Sequence, residues 1–317
     1  MREVETIIVG GGPAGAACAW KLRQVGREVL VLDRAAFPRL KPCAGWITPL
    51  VLRELQFKPA DYPHSLMTFK RLHFRIRGRR IPVPTRQYSI RRTEFDAWLL
   101  ERAGALVVQH RVRHIRRENG QFVIDDQFRC TYLVGAGGTH CPVYHTFFKE
   151  LNPRAKERVI STLELEFPYS WHDANCYLWF FDHDLPGYSW YVPKGNGYLN
   201  IGIGGKQFVM KARGETIRQH WERFAEKLQR LGLVQNGALE PYGYTYSLRS
   251  EVAVAQKGNA FIVGDAAGLA TLDMGEGIGP AVQSGLRAAE AILTGRPLNL
   301  KGIPKYSFWQ ILFPFWK

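Results

Sequence analysis

Residues 5–34 read ETIIVGGGPAGAACAWKLRQVGREVLVLDR, and their order decides the fold. Residues 5–9 are a short apolar strand, and Gly10-Gly11-Gly12-Pro13-Ala14-Gly15 is a tight glycine turn. Residues 16–25 follow as a helix, and 28–32 as a second apolar strand ending at Asp33-Arg34. Strand, G-x-G-x-x-G, helix, strand and acidic residue is the succession a dinucleotide-binding fold requires. Gly10 allows the turn, Gly12 lets the backbone approach a pyrophosphate, and Gly15 lets the helix lie close to the sheet. The helix N-terminus offers unpaired amides and partial positive charge to the phosphates. Asp33, eighteen residues after Gly15, is placed to accept hydrogen bonds from an adenosine ribose. The turn alone leaves open which dinucleotide is held.

Beyond Arg34 the chain reads as alternating small elements. Residues 35–46, with Pro38, Pro42 and Gly45, form a loop, and 47–55 a short helix. Residues 68–76 and 79–83, separated by Gly78, pair as a hairpin. Thr93 is expected to cap a helix, with Asp96 three residues on and an apolar stripe of Phe95, Leu99 and Leu100. Strands are expected over 106–108, 111–117, 121–124 and 129–134, the last leading into Gly135-Ala136-Gly137-Gly138. From about Leu151 the composition shifts. Four strands (159–167, 176–181, 188–192 and 198–203) joined by turn residues point to antiparallel sheet. An amphipathic helix over 216–231 follows. Then 260–263 returns as a buried-type strand, Gly264-Asp265-Ala266-Ala267-Gly268 as a turn, and 279–293 as a helix. The fold class is therefore α/β with an α+β insert. A discontinuous nucleotide-binding domain (1–66, 87–150 and 250–300) is interrupted by an antiparallel-sheet substrate domain (67–86 and 151–249). Residues 301–317 form an aromatic tail.

The 317 residues are ample for such a layout, and a composition 46% hydrophobic and 22% charged is that of a globular protein. No apolar run reaches the ~18 residues of a spanning helix. The first strand begins at the N-terminus, so no signal peptide is expected. Five cysteines without a CxxC pair argue against a disulfide framework or structural zinc, and fit a reduced cytoplasmic setting. A net charge of +15 is either generic or functional. The basic residues are dispersed and carry no nucleic-acid motif, so an anionic membrane face or anionic substrate suits them better. Residues 306–317 (YSFWQILFPFWK), flanked by lysines, fit a bilayer interface at the inner membrane face. Equally, they fit packing on the protein's own surface or on a partner subunit.

Four motifs together resemble the geranylgeranyl reductase family, FAD-dependent flavoproteins of the para-hydroxybenzoate-hydroxylase fold. They are Gly10–Gly15 with Asp33-Arg34; Lys41-Pro42-Cys43-Ala44-Gly45, similar to the family's K-P-C-G-G loop; Tyr188-Ser189-Trp190-Tyr191-Val192-Pro193, similar to Y-x-W-x-F-P; and Gly264–Gly268 with Gly275-Glu276-Gly277-Ile278. The resemblance implies FAD, a cofactor long enough to need both nucleotide turns. It places Gly10, Gly12, Pro13, Ala14, Gly15, Asp33, Arg34, Cys43, Ala44, Gly45, Arg92, Val112, Gly264, Asp265, Gly275, Gly277 and Ile278 at the cofactor. Gly277 and Ile278 would aim backbone amides at the flavin N1–C2=O edge, stabilising negative charge on reduced flavin. Tyr188, Trp190 and Pro193 would meet an apolar small-molecule or lipid substrate, with Cys43 as the candidate catalytic group. The chain departs from the wider fold at residues 135–144, where the Asp and Arg of G-A-D-G-x-x-S-x-V-R are missing. The donor, NADPH or NADH, is thereby left open. By the same resemblance, the residues after the second nucleotide helix are expected not to supply the C-terminal helical region with which longer members finish a lipid tunnel.

Competing readings remain at this stage. Cys43 is either a substrate-facing thiol or a packing residue. Cys141 beside His140 lacks an oxyanion feature and reads as structural. His172, Asp173, His183 and Asp184 lack metal-site spacing. Asp265 is a flavin contact or a helix N-cap. Tyr188 and Trp190, two apart on a strand, share one face, toward core or pocket. The leading function is reduction of C=C bonds in an isoprenoid or comparable apolar substrate. The alternatives are a monooxygenase or halogenase of the same fold, or a membrane-docked flavoprotein passing electrons to a redox partner.

Overall fold

The computed structural model describes residues 1–235 and 237–313 and divides them into two compact units. Of these residues the first comprises 1–39, 93–154 and 247–307; the second comprises 40–92, 155–235, 237–246 and 308–313. The segments 40–66 and 87–92, expected with the nucleotide-binding part, cluster instead with the second unit, as does the tail from 308.

In the first unit Arg2–Val9 lies at the centre of a sheet. It is paired in parallel with Val29–Asp33 on one side and Phe128–Gly135 on the other. Leu106–Gln109 extends one edge in parallel and Ala260–Ile262 the other, so the strand after the long interruption returns to the same sheet. Val29–Asp33 and Ala260–Ile262 are buried apolar runs, covered on both faces, whereas the edge strand Leu106–Gln109 is largely exposed. Ile7, Leu30, Leu32, Leu133 and Ile262 are buried in one cluster with Phe122, Tyr144 and Phe148. Helix Pro13–Arg23 and helix Ile278–Thr294 pack on each other through small residues. A Cβ on Gly285 would lie 2.1 Å from the Ala14 carbonyl oxygen, so glycine alone permits that approach.

The second unit is a sheet in the order Tyr242–Ser247, Val159–Pro168, Tyr198–Lys206, Gly187–Lys194, Cys176–Phe180, Met67–Ile76, Arg79–Ser89, Trp46–Ile47. From Val159–Pro168 to Trp46–Ile47 the neighbouring strands are antiparallel except Met67–Ile76 with Cys176–Phe180, which are parallel. One face carries Trp179, Tyr191, Leu199, Ile201 and Ile203. These are buried against Trp221, Phe224 and Leu228 of helix Ile217–Arg230. Thr216 caps that helix, exchanging bonds with Gln219.

Several local expectations shift. The helix expected to be capped by Thr93 already begins at Arg92. Both backbone groups of Ile90 are engaged, its N–H by the Gly45 carbonyl and its C=O by Lys194, so the chain turns into the helix directly afterwards. The strand expected over 111–117 is confined to Ile115–Glu118. Asp125 holds the preceding loop by accepting the Arg113 and His114 amides. Helix Pro142–Phe147, helix Gln207–Ala212 and strand Tyr242–Ser247 were not anticipated. Of the tail, Phe308–Leu312 is helical, whereas 314–317 lie outside the described residues.

Candidate functional site

The first unit builds a phosphate cradle from backbone. Gly10 has φ +111, and a Cβ there would lie 2.4 Å from the Ala136 carbonyl oxygen. A Cβ on Gly15 would lie 1.9 Å from the Gly10 carbonyl oxygen, which closes the turn against the helix start. Gly12 is the N-cap, Pro13 opens the helix, and no side chain caps it or places an acid in its first turn. The helix start, including Ala14, therefore presents amides and dipole without a competing anion. Asp33 accepts the Gly11 amide at 2.8 Å with one oxygen, bracing the glycine turn, and the Ala35 amide at 3.0 Å with the other. Arg34 follows it, exposed. A guanidinium not anticipated from the sequence sits above the turn. Arg39 Nη2 is 3.4 Å from where a Gly12 Cβ would be, and it pairs at 3.3 Å with the fully buried Asp96.

The second nucleotide turn follows Ala260–Ile262. Gly264 (φ +59) brings its backbone against Ala14 and Ala281, and its amide donates to Ser284 Oγ at 2.9 Å. Asp265 is not a cap, since Val263 holds that position; its carboxylate lies 3.4 Å from where a Gly277 Cβ would be. Arg154 spans the two turns, donating to the carbonyls of Thr139, Asp265 and Ala266 while lying over the Tyr144 ring. It brings a guanidinium to the segment that lacks the usual arginine. Gly275 has φ +61 and precedes Glu276, whose carboxylate accepts the Gly279 amide at 2.6 Å and the Ile278 amide as well. Burial pushes the Glu276 carboxyl up to about 7, and those amides pull it back only in part. The Ile278 amide, expected to face flavin, is thus met by the chain's own carboxylate in this structure. Val112 is half-buried against the sheet core.

The second unit gathers the remaining candidates around Lys41–Gly45. Trp190 and Tyr188 project from the sheet face opposite helix Ile217–Arg230, where Trp190 is buried and Tyr188 half-buried. Pro193 alternates to the other face, and its carbonyl accepts Ser89 Oγ at 2.8 Å. The Trp190 ring lies where any side chain on residue 202 would stand: a Gly202 Cβ would be 2.1 Å from it. Trp190 Nε1 donates to Asn200 Oδ1 at 2.7 Å, and Asn200 Nδ2 donates to the Cys43 carbonyl at 3.3 Å. The Cys43 amide donates to Glu164. Lys194 Nζ donates to the Ala44 carbonyl and, at 2.8 Å, to that of Ile90. Gly45 has φ +61, and its amide approaches Cys43 Sγ at 3.4 Å. Burial pushes Glu164 up to about 7 and lowers Lys194. Lys41 lies over the Tyr244 ring, and Arg91 pairs with Glu166 at 2.9 Å. Arg92, at the helix start, is buried.

The cysteines sort by burial. Cys18, Cys130 and Cys176 are buried with thiols pushed up to about 12, and burial raises Cys141 as well. Only Cys43 is partly accessible among the five. The partners of its turn (Glu164, Lys194 and Asn200) were missed in the sequence. Their one visible signal is that each is a polar interruption in an apolar strand.

Comparison with known proteins agrees with this construction. A family model described as FAD binding domain matches residues 106–294, and one described as NAD(P)-binding Rossmann-like domain matches 8–40. An uncharacterized protein of Methanosarcina barkeri is 33% identical over 92% of this chain and 75% of its own length. A menaquinone reductase of Mycolicibacterium smegmatis is 28% identical over 96% and 78%. A geranylgeranyl diphosphate reductase of Rhodobacter capsulatus is 26% identical over 94% and 78%. The crystal structure of a geranylgeranyl bacteriochlorophyll reductase-like protein from Thermoplasma acidophilum superposes with a TM-score of 0.79 at 23% identity. It covers 93% of this chain and 80% of that one, and the shared fold is para-hydroxybenzoate-hydroxylase-like. The cradle of Gly10–Gly15 and the second turn at Gly264 fit an extended dinucleotide, and the chain belongs to the FAD-binding domain family as an FAD-dependent oxidoreductase resembling geranylgeranyl reductases.

Proposed function

We propose that this protein saturates C=C bonds of an isoprenoid or similarly apolar substrate. The observation that carries this reading is the aromatic sheet face of the second unit that lies opposite helix Ile217–Arg230. Tyr188 and Trp190 stand there beside a turn whose backbone is fixed by buried partners, with Cys43 the one accessible thiol. FAD, when bound, supplies the hydride. The residues of the first unit hold it: Gly10, Gly12, Pro13, Ala14 and Gly15 at the pyrophosphate, and Asp33 and Arg34 towards the adenosine. Val112 stands at the adenine, and Gly264, Asp265, Gly275, Gly277 and Ile278 at the second turn. Arg39 adds positive charge over Gly12. Ala44, Gly45 and Arg92 are read as cofactor contacts from the second unit's sequence.

On the substrate side, Tyr188 and Trp190 offer apolar surface that orients a polyprenyl chain and excludes water. Pro193, on the reverse face, acts through the backbone it fixes rather than by contact. The Cys43 turn supplies the polar end. Relatives named menaquinone reductase and geranylgeranyl diphosphate reductase support this class of substrate. A substrate of this kind places the protein at the cytoplasmic face of a membrane, and the aromatic segment from residue 306 is read as part of the contact. No helix among the described residues is long and apolar enough to cross one.

The test is product mass. Protein loaded with FAD and supplied with NADPH, NADH or dithionite under nitrogen is expected to add two hydrogens per C=C to a geranylgeranyl chain. Oxygen-dependent hydroxylation or halogenation of an aromatic substrate, with no saturated polyprenyl product, would overturn the reading.

A further inference from the structure

Between Asp61 and Glu94 the chain carries nine Lys and Arg residues and no Asp or Glu, against a net +15 for the whole protein. Most of this segment is the hairpin Met67–Ile76 and Arg79–Ser89. Its tip is Arg77-Gly78, and Arg77, Arg79 and Arg80 are all exposed there. Such a run of one sign along a β-hairpin carries mutual repulsion that no carboxylate within it relieves, so it favours an anionic partner.

Apolar side chains surround the same tip. Ile81 pairs with Phe74 across the hairpin and is exposed. Phe180 pairs with Ile76, and the next residue, Phe181 (φ +56), turns out into solvent with 54% of its surface free. Helix Phe308–Leu312 is fixed alongside. Thr85 Oγ1 donates to the Ile311 carbonyl, Gln87 Nε2 donates to the Gln310 carbonyl at 3.0 Å, and the Phe308 ring lies 6.2 Å from that of Phe74. That anchoring leaves Trp309 65% exposed and stacked on the exposed Phe313.

From this rim an unbroken row of rings leads back across the sheet. Phe74 lies 5.4 Å from Phe180, Phe180 5.2 Å from Tyr188, and Tyr188 5.7 Å from Trp190. Trp190 is tied through Asn200 to the Cys43 turn. The row is a consequence of strand alternation: these side chains all occupy the face opposite helix Ile217–Arg230. One end of the aromatic row is thus buried beside the polar Cys43 turn; the other meets the exposed Phe181 and Phe308, with Arg77, Arg79 and Arg80 at the hairpin tip and Asp182 and Asp184 following Phe181.

We propose that the hairpin tip, Phe181 and helix Phe308–Leu312 form the face by which this protein docks on an anionic lipid bilayer, and that the apolar substrate passes from the bilayer along the aromatic row to the Cys43 turn. Arginines suit anionic headgroups, while Trp, Phe and Ile beside them enter the interfacial region. Nucleic acid would use the charge but has no use for an aliphatic and aromatic rim continuous with an internal apolar row. The second half of the inference rests on the proposed reduction of an isoprenoid; the first half does not.

The experiment is co-sedimentation of the FAD-loaded protein with vesicles of phosphatidylcholine alone or mixed with phosphatidylglycerol. Binding is expected only to the anionic vesicles and is expected to weaken as salt rises. The triple variant Arg77→Ser, Arg79→Ser, Arg80→Ser is expected to bind them at least tenfold more weakly. The double variant Phe181→Ser, Trp309→Ser is expected to lose whatever binding survives high salt. Both variants are expected to keep wild-type turnover of a short isoprenoid in detergent while KM rises for a substrate embedded in vesicles. Equal binding to neutral and anionic vesicles, wild-type binding by both variants, or displacement from vesicles by an oligonucleotide would overturn docking. If vesicles bind as expected but no isoprenoid is reduced, the docking face stands and the proposed reaction falls. If isoprenoids are reduced in detergent without any vesicle binding, the reverse holds.

Discussion

The two turns to which the proposed chemistry is assigned, Gly10–Gly15 and the Cys43 turn, are held in opposite ways. Gly10–Gly15 is fixed by what its residues lack. Missing side chains let backbone meet backbone at Ala136 and Gly10, and a single carboxylate 22 residues away, Asp33, braces it. The Cys43 turn is fixed by what distant residues bring: Glu164, Lys194 and Asn200, at separations of 121, 150 and 157 residues. The first arrangement suits a cofactor that must find the same backbone amides every time. The second spends buried charge to hold a short turn beside an aromatic face. Buried polar groups of that kind contribute little net stability, so their value lies in fixing one geometry.

The largest expected effect breaks the first turn. Gly15→Val drives a side chain into the Gly10 carbonyl and should destabilise the first unit by more than about 4 kcal/mol. Purified protein should carry almost no flavin absorbance; flavin content equal to wild type would contradict the close packing described. Next comes the second turn. Lys194→Met strands the buried carbonyls of Ala44 and Ile90 and removes a positive charge that acts on Glu164 at longer range, costing about 3 kcal/mol. Denaturant unfolding reads the loss. Thiol labelling reads the turn itself, because Cys43 is the one cysteine of the five that is not buried. Labelling should quicken in the variant, and adding Glu164→Gln should restore part of the stability by removing the buried negative charge. Purely additive losses would show that the two groups do not act on each other.

Acidity tests both regions together. Burial pushes the folded values of Glu164 and Glu276 from 4.5 up to about 7. Their contribution to stability is complete below pH 4.5, where folded and unfolded states are both protonated. It declines as pH rises through 7, by about 3 kcal/mol for each residue once both states are ionised. Thermal unfolding should therefore occur at a lower temperature at pH 8 than at pH 5.5, and Glu164→Gln and Glu276→Gln should each flatten that slope. A steeper slope in either variant would be inconsistent with a buried acid. Glu276→Gln also removes negative charge from the start of helix Ile278–Thr294. The midpoint potential of bound flavin should rise by tens of millivolts if that helix faces the cofactor. The smallest effect is Trp190→Phe, which forfeits the 2.7 Å bond to Asn200 at a cost of about 1 kcal/mol and should raise KM more than it lowers kcat.

The same contrast explains what the sequence discloses. Local motifs are legible because their physics is local. Gly10, Gly12 and Gly15 with Asp33, and Gly264 with Gly277, announce a nucleotide fold and its interruption without any tertiary knowledge. The alternation of Tyr188 and Trp190 shows that they share a face, but not which one; only the position of Trp221 and Phe224 on the opposite side decides it. Arg39 over Gly12, Arg154 across two turns, and the hold of Glu164 on Cys43 and of Lys194 on Ala44 depend on partners remote in sequence, so no spacing rule reveals them. Polar residues inside apolar strands were the available hint. Thr93 failed as a cap for a related reason, since Gly45 and Lys194 capture Ile90 and move the helix start to Arg92.

The proposed reaction is hydride transfer from bound FAD to a C=C bond of an apolar substrate. Rapid mixing of the photoreduced protein with a geranylgeranyl substrate under nitrogen tests it most directly. Oxidised-flavin absorbance should return in step with one saturated C=C per flavin, and Lys194→Met, with its flavin still bound, should slow that return. Absorbance that returns only when oxygen is admitted, with the polyprenyl chain unchanged, would contradict it.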